Sequence, residues 1–182
     1  LQEGEIPPPR LLTQSTPQDE RLITGVWWNP KSPGLLFAVS DRVQTWRELR
    51  HVSVDSLTDG VADSALVLRE ESPAWVEPPT EPGWLADGSL VWRSELPTGR
   101  TRLYRISPNR QSVEPLTPVD FDVRKFKVSA ESDFLVLTGD SERGTEGQQV
   151  YRVDLDRPAG APASAIAMSR LTSEPGWHSP SF

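Results

Sequence analysis

Apolar residues in this chain fall in short bursts, each closed by Pro, Gly, Asp or Ser. Leu22-Ile23-Thr24-Gly25-Val26-Trp27-Trp28 is the first burst, and the dense turn chemistry of Asn29-Pro30-Lys31-Ser32-Pro33-Gly34 follows it. Leu35-Leu36-Phe37-Ala38-Val39 comes next, then Arg50-His51-Val52-Ser53-Val54 and Ala65-Leu66-Val67-Leu68. Runs of about 5 residues between turn signals are the mark of strands, not helices. The pattern predicts antiparallel strands near 22–28, 35–39, 49–54, 65–69, 82–85, 89–93, 102–107, 112–116, 123–129, 133–138, 149–154 and 166–171. It leaves room for little helix beyond a turn or two. One such turn is expected at Thr16-Pro17-Gln18-Asp19-Glu20, with a cap-type residue, Pro at the first helical position and acids behind it.

The bursts repeat as a unit. Trp84-Leu85-Ala86-Asp87-Gly88-Ser89-Leu90-Val91-Trp92 reads as strand end, tight turn and next strand, and Tyr104-Arg105-Ile106 and Pro115-Leu116-Thr117 follow. The same order returns from Val128-Ser129-Ala130-Glu131-Ser132-Asp133-Phe134, through Tyr151-Arg152-Val153, to Arg170-Leu171-Thr172. A weaker copy starts at Trp28. The anchors Trp28, Trp84, Val128 and Phe182 are 56, 44 and 54 residues apart. Units of about 40–50 residues with four short strands are the blades of a β-propeller. A blade has two apolar faces and must stack on neighbours to bury them. The fold class expected is therefore all-β: a partial β-propeller of three to four blades of four-stranded antiparallel sheet. The expected boundaries are an extended Pro-rich linker over 1–21 and blades over 22–72, 73–120 and 121–176, with a further blade opening at 177–182. A ring closes with about 4–8 blades, so three and a fraction point to a piece of a propeller.

Composition narrows the function. The chain has 182 residues, enough for one domain or slightly more. Its 18 prolines, about twice the average share, suit many turns between short strands. It opens on Leu1 and its only methionine is Met168, so it reads as starting inside a longer gene product. LQEGEIPPPR has no basic start and no apolar run of the signal-peptide type. A net charge of −7 argues against a phosphate backbone or an anionic membrane as partner. No run approaches the roughly 20 apolar residues of a membrane span. Without cysteine there are no disulfides and no thiolate metal sites. His51 and His178 are the only histidines, which leaves few routes to zinc or to acid–base chemistry at neutral pH.

The tract PGWLADGSLVWRSELPTGRTRLYRI at 82–106 resembles a blade of the dipeptidyl peptidase IV family, serine exopeptidases of the prolyl oligopeptidase clan. That family's pattern runs from "W-x-x-D-G" into an aromatic strand, a Ser-Glu or Asn-Glu turn, a small residue, Arg and "L-Y". Here it is Trp84, Asp87, Gly88, Trp92, Ser94-Glu95, Gly99-Arg100 and Leu103-Tyr104. RLTSEPGWHSPSF at 170–182 is similar to the family's "R-L-T … H-x-x-S-F" opening of the next blade, and upstream AWVEPP at 74–79 resembles the short "W-V" segment before the 82–106 blade. The similarity runs over roughly 22–182 and fits loosely at 29–72. It implies an N-terminal propeller that caps a C-terminal α/β-hydrolase domain bearing a Ser-Asp-His triad, with peptide substrates. It also implies an extracytoplasmic place, periplasmic or secreted.

No G-x-S-x-G nucleophile elbow is present. The nearest string, Gly139-Asp140-Ser141-Glu142-Arg143-Gly144, has Arg where the second Gly belongs. No catalytic, cofactor, metal or substrate residue is therefore assigned. His178 beside Ser179 suggests a nucleophile–base pair, yet a triad also needs an orienting acid and an oxyanion hole, so a blade-edge histidine is the better reading. His51, alternating with Val52, reads as a surface residue. Trp28, Trp84 and Trp92 sit at repeat-equivalent apolar positions and are expected in the core rather than on a sugar-stacking platform. Trp46 and Trp177 are off that register. Glu70-Glu71 and Asp120-Phe121-Asp122 lack the ligand spacing of a calcium loop and read as solvated blade connections. Arg100 and Arg102 near Glu95 suggest a hairpin ion pair.

Two functions follow. One is a non-catalytic propeller segment of a dipeptidyl peptidase IV-like enzyme, acting as scaffold and substrate gate for a hydrolase domain. The other is part of a periplasmic or secreted binding propeller for protein scaffolding or sugar. Cutting a propeller exposes flat blade faces, here at Trp28 and at Phe134 and Val136, so self-association is expected.

Overall fold

In the computed structural model, residues 12, 20–31, 33–56, 63–140, 147–156 and 166–181 are described. The turn expected at Thr16–Glu20, apart from Glu20 itself, and the fourth anchor Phe182 lie outside them. Among the described residues, twelve strands form three four-stranded sheets: β1 (Arg21–Trp28), β2 (Gly34–Asp41), β3 (Trp46–Ser53) and β4 (Ala65–Glu71); β5 (Gly83–Trp84), β6 (Leu90–Ser94), β7 (Arg102–Ile106) and β8 (Val113–Pro115); β9 (Asp122–Val128), β10 (Phe134–Asp140), β11 (Gln149–Asp154) and β12 (Met168–Arg170). Each sheet is an antiparallel meander in chain order. Among the described residues the only helical turn is the 3₁₀ turn Val54–Ser56. The architecture is all-β, three blades of the propeller type. The anchors Trp28, Trp84 and Val128 are the last residues of β1, β5 and β9, so the repeat marks where each first strand ends.

The expected strands are all present, with two informative differences. β3 begins at Trp46 rather than 49 and hands Val54 to the 3₁₀ turn. Its early part is charged, but Arg47 pairs across the sheet with Ser40 and Glu70 and is buried. The last strand contracts to Met168–Arg170.

The tight turns share one design. Gly88 N–H donates to the Leu85 carbonyl at 3.0 Å, and Ser132 N–H to the Ser129 carbonyl at 3.0 Å. Gln44 N–H and Arg110 N–H close the same turn onto Asp41 and Ser107. In all four the donating residue is left-handed, with φ of 82° at Gly88 and about 60° at Gln44, Arg110 and Ser132. Glycine adopts that conformation freely, whereas the other three are held there by the strands they join.

The chain divides into two compact units, Leu1–Val76 and Glu77–Phe182. In the first, Phe37, Val39 and Val52 form a buried cluster on one face of the sheet, with Leu12, Leu35 and Trp46 against it. Trp28, at the end of the edge strand β1, is not core: it is 67% exposed. In the second unit, Val91 and Leu103 of the β5–β8 sheet face Val123, Leu135, Leu137 and Val153 of the β9–β12 sheet, and Phe121 and Leu116 complete the cluster. Trp92 is fully buried, as expected, and Trp84 half-buried.

Candidate functional site

The most constructed feature of the second unit is the junction between its two blades. Register explains the chemistry of each face. On β6 and β7, Val91 and Leu103 share one face, while Leu90, Trp92, Tyr104 and Ile106 share the other. On β9–β12, Leu135 pairs with Val128 and Val153, and Leu137 with Phe126 and Tyr151. The two aliphatic faces meet and exclude water. Phe121 meets Tyr151 edge-on at 4.8 Å between ring centroids. Strand β5 approaches β9 so closely that a Cβ on Gly83 would stand 2.7 Å from Val128 Cγ2 and 2.9 Å from Phe126 Cε2.

A polar rim fastens the junction. Arg100 donates to Asp122 Oδ2 at 2.7 Å, and the Thr101 N–H donates to Asp122 Oδ1 at 3.0 Å. Arg93 donates to the Arg124 carbonyl at 2.7 Å, and the Ala86 N–H donates to Ser132 Oγ at 3.0 Å. Arg100 thus reaches the next blade, not its own hairpin as the sequence suggested. Arg102 is buried and forks onto the Thr117 carbonyl, with its guanidinium 5.4 Å from the Tyr104 ring.

The Trp84-x-x-Asp87-Gly88 segment is a structural turn. Asp87 accepts from the Ser89 N–H at 2.9 Å, the Ser89 hydroxyl at 2.8 Å and Arg105 at 2.6 Å. Burial opposes its charge, but the Ser89 N–H, the Arg105 guanidinium and the Ser89 hydroxyl outweigh it and hold the carboxyl below its ordinary range.

His178 lies in the segment that follows β12. Its Nε2 meets the Glu174 carbonyl at 2.9 Å, and its N–H donates to the Gln148 carbonyl. Gln149 and Thr172 bind the same segment to β11. His178 is thus engaged with backbone, and Ser179 is exposed. The Gly139–Gly144 string lies outside the described residues from Ser141 on. Among the described residues no three His, Asp or Glu side chains gather as a metal site.

The acidic pairs have specific partners. Glu70 is not solvated: it is 4% exposed and accepts from Arg47 Nε at 2.7 Å, because its strand position faces the buried side of the sheet. Glu71 pairs with Arg69. In the 120–122 run, Phe121 is buried in the cluster between blades. His51 is half-buried, its ring close against Gly34. Trp46 is half-buried between Arg21 and Arg69, which lie 5.9 and 4.8 Å from its ring. Trp177 is 72% exposed, with Arg124 at 5.1 Å. Phe134 is half-buried under the Arg152 guanidinium at 3.9 Å, which replaces the bare apolar face expected there. No helix among the described residues is long and apolar enough to cross a membrane.

Comparison with known proteins agrees with the repeat. No curated protein matches the chain. The crystal structure of Porphyromonas gingivalis dipeptidyl peptidase 4 superposes with a TM-score of 0.68 at 18% identity, over 90% of this chain and 21% of that one. The chain thus spans about a fifth of the length of that structure. The family model for the dipeptidyl peptidase IV N-terminal region matches residues 3–182. With nearly every residue inside that match, and three four-stranded blades to carry it, the chain belongs to the dipeptidyl peptidase IV N-terminal region family.

Proposed function

We propose that this chain is a non-catalytic propeller segment of a dipeptidyl peptidase IV-like serine exopeptidase. In this reading it acts as scaffold and substrate gate for a hydrolase domain that the parent protein carries, with peptides as the parent's substrates. The linker over 1–21, the blade boundaries at 22–72, 73–120 and 121–176 and the opening of a further blade at 177–182 belong to the same proposal. The observation that carries it is the family match over 3–182. The geometry supports a scaffold: the blade junction is aliphatic at its centre and pinned at its rim by Arg100, Arg93 and Ser132. A gate must hold its shape while substrate passes, and such packing gives that rigidity.

The test compares this chain with its parent polypeptide. The chain alone should neither turn over dipeptidyl amides nor react with a fluorophosphonate serine probe. The parent should do both, through a G-x-S-x-G serine followed in sequence by Asp and His. Probe-sensitive turnover by the repurified chain, or a parent without that elbow, would overturn the proposal. The second result would favour a binding propeller.

A further inference from the structure

Among the described residues β1 pairs with β2 alone, so its other edge has no neighbouring strand. Protected edges are short, or carry lysine or proline. β1 runs for eight residues, RLITGVWW, with neither. Leu22, Ile23, Val26 and Trp28 are all exposed on it. Such an edge is a template for one more strand.

An irregularity in β1 selects which strand that is. Ile23 pairs with Val39 and Gly25 with Ala38, so Thr24 is an extra residue on β1. A regular strand laid along the outer edge keeps register on one side of Thr24 only, because a one-residue slip turns its faces over. A second copy of β1, running antiparallel, carries the same extra residue. With a two-fold axis at Thr24 and Gly25, register holds on both sides. Arg21 then meets Trp28 of the second copy, Leu22 meets Trp27, and Ile23 meets Val26, each pair formed twice. The faces agree too. Ile23, Val26 and Trp28 lie opposite Val39, Phe37 and Leu35, on the face of the Phe37–Val39–Val52 cluster. Leu22 and Trp27 lie opposite Ser40 and Leu36, on the other face.

We propose that two copies of this chain dock by antiparallel pairing of their β1 strands, making one eight-stranded sheet about a two-fold axis. The Ile23–Val26 pairs extend the buried cluster of each copy across the axis. Arg21, on that same face and 5.9 Å from the Trp46 ring, adds a cation–aromatic contact with Trp28 of the second copy. Each chain carries a net charge of −7, but β1 brings one arginine and no acid, so no carboxylates oppose each other along the paired strands. The inference rests on the Leu1–Val76 unit and is independent of the peptidase reading.

The experiment joins sedimentation equilibrium of the 182-residue chain, from low to high micromolar concentration, to cross-linking. A monomer–dimer equilibrium is expected, and Ile23→Lys, at an exposed position beside the axis, should abolish the dimer. The chain has no cysteine, so introduced thiols are read without background. Opposed residues have Cβ atoms about 4.5–5.5 Å apart. A mixture of Ile23→Cys and Val26→Cys proteins should therefore join through a short bis-maleimide, while either variant alone should join far less. If circular dichroism shows that Ile23→Lys disturbs the fold, the cross-linking pattern decides. A monomer at high micromolar concentration, a dimer undiminished in a folded Ile23→Lys protein, or equal cross-linking by either cysteine variant alone would overturn the proposal.

Discussion

Gly83→Ala tests the blade junction where it is tightest. The new Cβ would sit 2.7 Å from Val128 Cγ2, 2.9 Å from Phe126 Cε2 and 3.2 Å from Val91 Cβ. Carbon atoms rest at about 3.5–4.0 Å, so β5 and β9 must separate by close to 1 Å or the side chains must turn. Val128 turns poorly, because a β-branched side chain has few χ1 states. Forcing a methyl into packed space costs about 1–3 kcal/mol. Replacing glycine by alanine also stiffens the unfolded chain, a gain of about 0.4–1 kcal/mol. The overpacking wins, and a net loss of about 1–2 kcal/mol is expected from urea unfolding followed by tryptophan fluorescence. Val128→Ala removes the obstructing methyl, so the double variant should recover at least about 1 kcal/mol relative to the sum of the single changes. Additive effects, or a Gly83→Ala protein as stable as the original, would refute the close approach of the two strands.

Other outcomes follow from the same structure. Glu70→Ala leaves Arg47 buried without its carboxylate and should cost about 3 kcal/mol in chemical unfolding, while Arg47→Met combined with Glu70→Met should cost clearly less. Asp41, Glu48 and Asp87 are held below their ordinary carboxyl range: burial opposes their charge, but the Thr45, Arg50 and Ser89 hydrogen bonds, with Arg69 and Arg105, outweigh it. Such groups stabilise the fold fully above their unfolded value of about 4, and the contribution is lost as pH falls through their lower folded values, so the urea midpoint should drop between neutral pH and pH 3 and drop less in Glu48→Gln. Gln44→Gly relieves a left-handed residue and should raise stability by up to about 1 kcal/mol, measured by thermal unfolding. The β1 edge carries Leu22, Ile23, Val26 and Trp28 exposed, so sedimentation velocity should show association rising with concentration, reduced by Trp28→Lys.

The strands were legible because each apolar burst is short, alternates and ends in residues that suit a tight turn. The repeat was legible because the same turn recurs, closed by Gly88 in one blade and Ser132 in the next. What the pattern misread is charge that hides by pairing. Arg47 and Glu48 fall outside the strand expected from residue 49, yet Arg47 bonds Glu70 and Glu48 bonds Arg50 and Arg69 inside β3 and its neighbours. Repeat equivalence also placed Trp28 in the core with Trp92, but a repeat gives position along a strand and not which neighbour covers it. Arg100 meeting Asp122 and Lys125 facing Thr138 depend on how sheets stack and on register, which a β-bulge at Thr138/Gly139 resets. No spacing rule along the chain carries that information.

Consecutive four-stranded sheets in residues 77–182 stack as blades. Nuclear Overhauser contacts between the Gly83 Hα protons and the Val128 methyl and Phe126 ring protons test it most directly, since they join strands of different sheets. Strong cross-peaks are expected for both, alongside the contacts within one sheet between Trp92 and Tyr104. Intact Trp92–Tyr104 contacts with no cross-peak from Gly83 to Val128 or Phe126 would contradict it.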